Sequence, residues 1–249
     1  MSKSVLVLRA CHSDMSSSND FVWPAAGYVE APDWEPTPVC GNGLHGWQHG
    51  HGEGNVSNFW DDDCKWLIVK VKVKDLINLG DKVKFKCGKV VFCGDRKGAT
   101  DYLLANDHVA STKPVIGAII VVGDDGTATT GYKGRSTSGD NGSSISGIYG
   151  ESISGYEGTS ISGFKGYAKS GVKGSSTSGY MGTSISGHHG TSITGEFGSA
   201  RSGPAGNIVI KYYKNGRFML KTGNIGVDGL KPDILYTLNA SQEFIVATE

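Results

Sequence analysis

An eight-residue repeat occupies the second half of the chain and limits the folds open to it. From Gly123 the sequence reads GDDGTATT, GYKGRSTS, GDNGSSIS, GIYGESIS, GYEGTSIS and onward to GPAGNIVI, which ends at Ile210. Residues 123–210 therefore hold eleven octads without an insertion, and glycine occupies positions 1 and 4 of every octad. A flexible glycine/serine linker has no reason to keep such a register. The repeat therefore predicts a regular, stacked architecture.

The last four positions of each octad alternate between small and variable side chains. Position 6 is Ala or Ser and position 8 is Ser or Thr in all but the last octad, whereas positions 5 and 7 accept Arg135, Glu151 and Lys169. Charged side chains do not enter a narrow interior unpaired, so we expect positions 5 and 7 to face outward and positions 6 and 8 to face inward. The inward hydroxyls then hydrogen-bond one another from coil to coil. The glycines serve either a turn with positive φ or a close approach between chains.

Two octads make one coil of the predicted fold, because a single octad is too short to give two paired sides. Eleven octads then form about five and a half coils, roughly 25 Å long at a strand spacing of about 4.8 Å. The predicted fold class is mostly β. Residues 1–122 form a small α+β domain, residues 123–210 a β-solenoid with 16 residues per coil, and residues 211–249 a C-terminal β cap with a hairpin at Asn215-Gly216.

The N-terminal domain has a different composition, and its patterns predict separate elements. Ala99–Leu104 is a candidate helix, and Val115–Val122 is an apolar strand that runs directly into the first octad. Further strands are expected at Val5–Leu8, Trp66–Val73, Val83–Phe85 and Val90–Phe92.

One corner of the predicted solenoid carries an apolar stripe. On alternate octads position 2 is Tyr132, Ile148, Phe164 and Tyr180. Such a stripe either packs against the N-terminal part of the chain or forms a seam with a protein partner or a second copy.

Charge and composition favour a cytoplasmic protein without a nucleic-acid or membrane partner. Lys+Arg and Asp+Glu each number 24, and residues 123–210 hold six of each. The apolar run Val5–Leu8 is too short for a signal-peptide core, and no stretch reaches transmembrane length. All five cysteines fall in the first 93 residues without paired spacing, so we expect reduced thiols.

A glycine- and histidine-rich segment suggests a metal site as one alternative. Its spacings are not those of a zinc finger or ribbon, so no cofactor is predicted and zinc is kept as a secondary hypothesis. Cys64 or Asp61 would supply a further ligand. The candidate ligands in the segment are Cys40, His45, His49 and His51.

The octads resemble those of bacterial ice-nucleation proteins, as in GYEGTSIS with Thr159 and Ile161 facing outward. The resemblance covers the repeat alone, and it implies paired octads in 16-residue coils and a role in ice binding. Charged and bulky residues interrupt the uniform threonine array that this role needs, which makes ice binding a lesser alternative. The interrupting residues are Arg135, Glu151, Tyr167, Lys169 and Arg201.

A second resemblance spans nearly the whole chain. The segments Trp23-Pro24, CGNGLHG at residues 40–46, NIVIKYYKNGRFMLK and DGLKP are similar to those of a group of bacteriophage and bacterial proteins in which a CGxGLHG segment precedes octad repeats. The group brings no established activity with it. The resemblance implies a phage-encoded, non-enzymatic interaction or scaffold protein that acts on a host factor or in the virion.

A nucleotide-binding module is the main alternative. The strand end at Arg9, with a later Gly-Asn-Gly-Leu-His turn, loosely resembles ADP-ribosyltransferase folds, but Glu30 and Glu53 both come too early to be the catalytic glutamate. Arg9 could instead pair with a surface acid while His45 caps a turn. The candidate ligand-binding residues are Arg9, Cys40, Asn42, His45 and Trp47.

A thiol mechanism is a further alternative, with Cys40 as nucleophile and His45 or His12 as base. It lacks an orienting acid, so catalytic residues are unknown and we do not expect an enzyme.

Overall fold

The chain divides into two compact units, Met1–Ala118 and Ile119–Glu249. The structure is a computed structural model, and it describes residues 3–248. The solenoid and the C-terminal cap belong to the same unit. Solenoid pairing begins before the first complete octad, because Ile119 already aligns with Arg135, 16 residues later.

The N-terminal unit is built on one antiparallel sheet of seven strands. The strands are β1 (Ser4–Cys11), β2 (Gly27–Glu30), β3 (Leu44–Gln48), β4 (Lys65–Lys72), β5 (Leu76–Asn78), β6 (Val83–Phe85) and β7 (Cys87–Gly94). Their order in the sheet is β2-β7-β4-β1-β3-β6-β5. Because β4 and β1 are central, Leu67, Ile68 and Val69 are fully buried.

Helix α1 (Arg96–Asn106) packs against β4, β7 and β1. Asp95 caps it by accepting a 2.7 Å hydrogen bond from the backbone N–H of Gly98. Short 3-10 helices lie at Ser18–Asp20, Gly54–Val56, Val73–Asp75 and Ala110–Thr112. No helix within residues 3–248 is long and apolar enough to cross a membrane.

Two predictions for the N-terminal unit need correction. The predicted strand Val115–Val122 is not continuous: Gly117 has φ of 69°, which breaks the extended backbone, and only β8 (Ile119–Val121) is a strand. The CGNGLHG segment, predicted as a turn, supplies the first residues of β3, in which His45 pairs with Lys84.

The repeat forms a β-solenoid of about six turns, as predicted. Numbering octads from Gly123, the odd-octad strands are β9 (Thr127–Thr129), β11 (Ser143–Ile145), β13 (Thr159–Ile161), β15 (Ser175–Ser178), β17 (Thr191–Thr194) and β19 (Asn207–Lys214). The even-octad strands are β10 (Arg135–Thr137), β12 (Glu151–Ile153), β14 (Tyr167–Lys169), β16 (Thr183–Ser186) and β18 (Ser199–Ser202). The odd strands make one parallel sheet, here the odd sheet; the even strands with β8 make the other, the even sheet.

The core between the two sheets is filled by the small side chains of positions 6 and 8. Ser144 and Ser152 are fully buried, whereas the flanking outward residues are partly exposed, so the predicted alternation is confirmed. Hydroxyls bond across the core, with Ser144 Oγ 2.9 Å from Ser138 Oγ. They also bond along the stack, with Ser176 Oγ 3.1 Å from Ser192 Oγ.

Close approach, not positive φ, explains the glycines at octad positions 1 and 4 from Gly134 onward, whereas a Cβ on Gly123, which opens the first octad, would meet nothing within 4 Å. A Cβ on Gly171, at position 1, would lie 2.6 Å from the carbonyl oxygen of Gly155 in the preceding coil. A Cβ on Gly158, at position 4, would lie 2.6 Å from Cβ of Ser154. The positive φ of each corner falls on position 3, as at Lys165 with φ of 50°.

The C-terminal cap closes both sheets. Strand β19 turns at Asn215-Gly216, both with positive φ, into β20 (Arg217–Asn224), which confirms the hairpin. Strand β21 (Tyr236–Leu238) pairs antiparallel with β18, and β22 (Phe244–Val246) pairs with β21. Apolar residues fill this end of the core: Ala200, Ile208, Ile210, Ile225, Leu230 and Tyr236.

Candidate functional site

A pocket of about 850 Å³ in the N-terminal unit contains four of the five residues predicted to bind a ligand. Arg9 comes from β1, His45 from β3, and Cys40 and Asn42 from the loop before β3. Trp47, the fifth residue, does not line the pocket; it is buried, and its ring stacks on Trp66 with centroids 6.2 Å apart.

Arg9 is held between two aromatic rings. Its Cζ lies 5.6 Å from the ring centroid of Trp23 and 5.2 Å from that of Phe59. Its Nε is enclosed and has no hydrogen-bond partner among residues 3–248, and no ion pair of Arg9 is found there. Burial lowers the pKa of Arg9 to about 10. The alternative in which Arg9 pairs with a surface acid is therefore wrong.

His45 is a neutral side chain at pH 7. Burial lowers its pKa to about 4, and the positive charges of Lys82 and Arg9 act in the same direction. Its Nε2 is buried without a hydrogen-bond partner in the described residues. It lies in a strand and does not cap a turn.

A buried lysine anchors the loop that carries Cys40 and Asn42. Lys84 is fully buried, and its Nζ donates a 2.9 Å hydrogen bond to the carbonyl oxygen of Val39. Asn42 Nδ2 donates to Glu35 Oε2 at 3.0 Å. Lys84 could not be recognised as a buried residue from the sequence, because its alternation with Val83 and Phe85 is typical of an outward lysine.

The four residues predicted as zinc ligands do not come together. Cys40 and His45 line the pocket, whereas His49 Nδ1 is 2.6 Å from Asp107 Oδ2, and His51 Nε2 is 3.0 Å from the carbonyl oxygen of Ala110. Within residues 3–248 a group of three potential ligands forms elsewhere, from Asp61, Asp63 and Cys64. Asp61 and Asp63 are exposed, and exposed acids are common without a metal.

The two faces of the solenoid differ sharply in charge. Every residue predicted to interrupt a uniform threonine array lies on the even sheet: Arg135, Glu151, Tyr167, Lys169 and Arg201. Arg135 Nε donates a 2.6 Å hydrogen bond to Glu151 Oε2 of the next even strand. The prediction that these residues interrupt a uniform threonine array is wrong for the odd sheet, because alternate octads contribute to different sheets and all five residues lie on the even sheet.

The outward face of the odd sheet, here the odd face, carries no charged residue from Thr127 to Val209. Its strands align in parallel register without a shift, as in Thr159 with Ser175 and Ile161 with Thr177. The outward residues are Thr127, Thr129, Ser143, Ile145, Thr159, Ile161, Ser175, Thr177, Thr191, Ile193, Asn207 and Val209.

Aromatic rings form a continuous ladder along the even-octad corner. The predicted stripe residues Tyr132, Ile148, Phe164 and Tyr180 lie there, but Tyr149 takes the place of Ile148 in the ladder and Phe197 extends it. Successive ring centroids are 5.4 to 5.7 Å apart. Sequence reasoning missed the two position-3 rings because it followed position 2 alone; every octad from GYKG to GEFG on this corner has an aromatic at position 2 or 3.

Comparisons with known proteins find one family match and several relatives. Residues 5–105 match a family described as a domain of unknown function (DUF7666). An ice nucleation protein of Pseudomonas fluorescens is 39% identical over 107 residues, covering 42% of this chain and 9% of that protein. One of Xanthomonas campestris pv. translucens is 34% identical over 106 residues, covering 42% and 7%. The chain thus spans less than a tenth of the length of these curated relatives. No solved structure matches it.

Proposed function

We propose that the solenoid is a rigid scaffold whose odd face binds ice. The observation that carries the proposal is the absence of charge at every outward position of the odd face from Thr127 to Val209, in a sheet with constant register. A charged group organises water around itself, whereas a lattice of hydroxyl and methyl groups leaves the water layer free to adopt the order of a crystal.

The spacing and stiffness of the odd face suit this role. Outward residues repeat about every 4.8 Å across strands and about every 6.6 Å along a strand, the scale of intermolecular separations in ice. Thr and Ile dominate the face, and β-branched side chains have a restricted χ1, so little rotamer freedom is lost on binding. The similarity to ice nucleation proteins supports the proposal.

The size of the odd face indicates binding to existing ice and not efficient nucleation. Six strands at about 4.8 Å give a face roughly 25 Å long. An ice embryo must exceed a critical size before it grows, and that size is large at mild supercooling. We therefore expect thermal hysteresis and shaped crystals without a raised freezing temperature.

The direct test measures thermal hysteresis and crystal shape with the purified full chain in a nanolitre osmometer. Faceted crystals and a gap between melting and growth temperatures are expected. Unshaped crystals that grow at the melting temperature, at millimolar protein that remains folded by circular dichroism, would refute the proposal.

We further propose that the aromatic ladder joins the solenoid to a protein, with a second copy as the first candidate. Five rings in sequence form an apolar edge, and Ile148 beside them is 46% exposed. A corner contact leaves the odd face open. The bacteriophage setting, and a host factor or virion component as partner, stay predictions to be tested on this surface.

The test of the ladder is sedimentation equilibrium of the full chain. The variant Tyr132→Ser/Phe164→Ser/Tyr180→Ser should reduce self-association, while Tyr156→Ser/Val172→Ser at the odd-octad corner should not. If the unsubstituted chain is monomeric, pull-down from a host lysate with both variants tests the heterologous partner, and equal capture by both would refute the ladder as an interface.

A further inference from the structure

The pocket of the N-terminal unit combines three features that a purely structural cavity has no need for. The partly buried Arg9 guanidinium has an enclosed Nε and no acidic partner among residues 3–248, the partly buried His45 imidazole has an enclosed Nε2 without a hydrogen-bond partner there, and both side chains line the same space of about 850 Å³. This space matches the volume that ligand sites commonly offer to small molecules.

The enclosed Nε–H of the Arg9 cation is the feature least explained by stability. Aromatic rings at 5.6 and 5.2 Å stabilise the Arg9 cation through their faces, but they cannot accept the in-plane hydrogen bond of Nε. An enclosed donor of a charged group that lacks a hydrogen-bond partner destabilises the fold, so its presence indicates a partner that arrives from solution.

The charges near the pocket favour an anion at its inner end. Asp20 and Asp33 also line the pocket, but both are exposed to solvent, whereas Arg9 Nε is enclosed. Lys82 adds a second cation to the lining. Coulomb interactions strengthen as the local dielectric constant falls. The cation at the enclosed Arg9 Nε therefore favours a negatively charged group at the inner end of the pocket over the two exposed carboxylates.

Neutral His45 complements Arg9. A neutral imidazole donates from one nitrogen, so His45 Nε2–H can bond an oxyanion without a second buried charge. Arg9 and His45 reach the pocket from β1 and β3, which are neighbours in the sheet, so the two donors are fixed by the same rigid element.

We propose that this pocket binds a small organic oxyanion, a carboxylate or a phosphate ester, with Arg9 and His45 as the anion-binding residues. The aromatic side chains Phe21 and Trp23 contact the organic part. A nucleotide is one source of a phosphate ester, and a di- or tricarboxylic acid is the other chemistry that the same donors recognise. This proposal is independent of ice binding.

The test is calorimetric titration of the full chain at pH 7 with inorganic phosphate, AMP, ADP, NAD and citrate, each measured separately. Saturable binding of a nucleotide assigns the phosphate source, and binding of citrate alone assigns the carboxylate source. Arg9→Met should weaken the bound ligand at least about tenfold, the effect of losing a charged hydrogen bond. Arg217→Met, which removes an exposed arginine from the cap, should leave binding unchanged.

Thermal unfolding separates a ligand site from a structural arginine. All five tryptophans lie in the N-terminal unit, so tryptophan fluorescence follows that unit alone. We expect Arg9→Met to unfold at the same or a higher temperature than the parent chain, because an enclosed Nε–H without a hydrogen-bond partner is removed. A lower unfolding temperature for Arg9→Met, or no binding of any probe at about 1 mM, would overturn the proposal.

Discussion

Thr159 and Thr183 hold the same position in octads that differ by one residue, GYEGTSIS and GYMGTSIS, yet they lie on different sheets. Thr159 lies between Ser143 and Ser175 on the odd sheet. Thr183 lies between Tyr167 and Ser199 on the even sheet. The chain therefore contains its own matched pair of sites for testing which face acts.

The first prediction uses this pair. Thr159→Arg should remove most of the thermal hysteresis, because a hydrated charge is placed at the centre of the odd face, whereas Thr183→Arg should leave it unchanged. Arginine already occupies position 5 in Arg135, so neither change should disturb the coil. Equal loss in both variants, or none in either, would contradict the assignment of ice binding to the odd face.

The second prediction concerns the corners. Gly163→Ala should lower the free energy of unfolding by about 1–3 kcal/mol, because its Cβ would lie 2.9 Å from backbone atoms of Gly147 and Ile148. Lys165→Gly, two residues on, should change it by less than about 1 kcal/mol: relief of the left-handed backbone offsets the entropy of glycine. Denaturant unfolding of the solenoid followed by far-ultraviolet circular dichroism measures both, and a larger loss for Lys165→Gly would contradict the close-approach explanation.

The repeat made the solenoid predictable because one pattern appears eleven times, so the inward and outward positions could be assigned from composition alone. The fixed glycines could not be explained from sequence, since close approach and positive φ both favour glycine. The charge-free odd face was missed because the outward residues of all octads were considered together. Arg135 and Thr159 hold the same octad position, but they lie on different sheets because alternate octads contribute to different sheets.

The pocket was less predictable than the solenoid. Arg9, Cys40, Asn42 and His45 were predicted from a loose resemblance to a nucleotide-binding fold, and the structure places all four in one pocket. Trp47 was chosen for the same reason, but it packs in the core on Trp66. The rings around Arg9 could not be predicted, because Trp23 and Phe59 lie in irregular segments whose path is set by tertiary packing.

The third prediction concerns the serine core. Ser152 Oγ donates a 2.6 Å hydrogen bond to the carbonyl oxygen of Ile161 and bonds Ser146 Oγ at 2.8 Å. Ser152→Ala should lower the free energy of unfolding by about 1–3 kcal/mol, because it leaves buried polar groups with fewer partners.

Ala168 provides the control for this prediction, because it occupies the position equivalent to Ser152 one coil later and is fully buried. Ala168→Ser introduces a hydroxyl that the two neighbouring coils have at Ser152 and Ser184, so it should be neutral or stabilising by up to about 1 kcal/mol. A destabilisation by Ala168→Ser equal to that of Ser152→Ala would mean that volume, and not hydrogen bonding, controls this core.

The fourth prediction concerns pH and His45. Its pKa is about 4 in the folded chain, against an ordinary value of 6.5, because burial disfavours the imidazolium. Between pH 6.5 and pH 4 the unfolded chain therefore binds a proton at His45 that the folded chain does not. The contribution of neutral His45 to the stability of the N-terminal unit is fully present above pH 6.5 and should be lost as the pH drops toward 4.

His45→Gln should flatten this dependence, measured by denaturant unfolding with tryptophan fluorescence, while His188→Gln in the solenoid should not. An unchanged slope in His45→Gln would mean that other groups of the N-terminal unit control its response to acid.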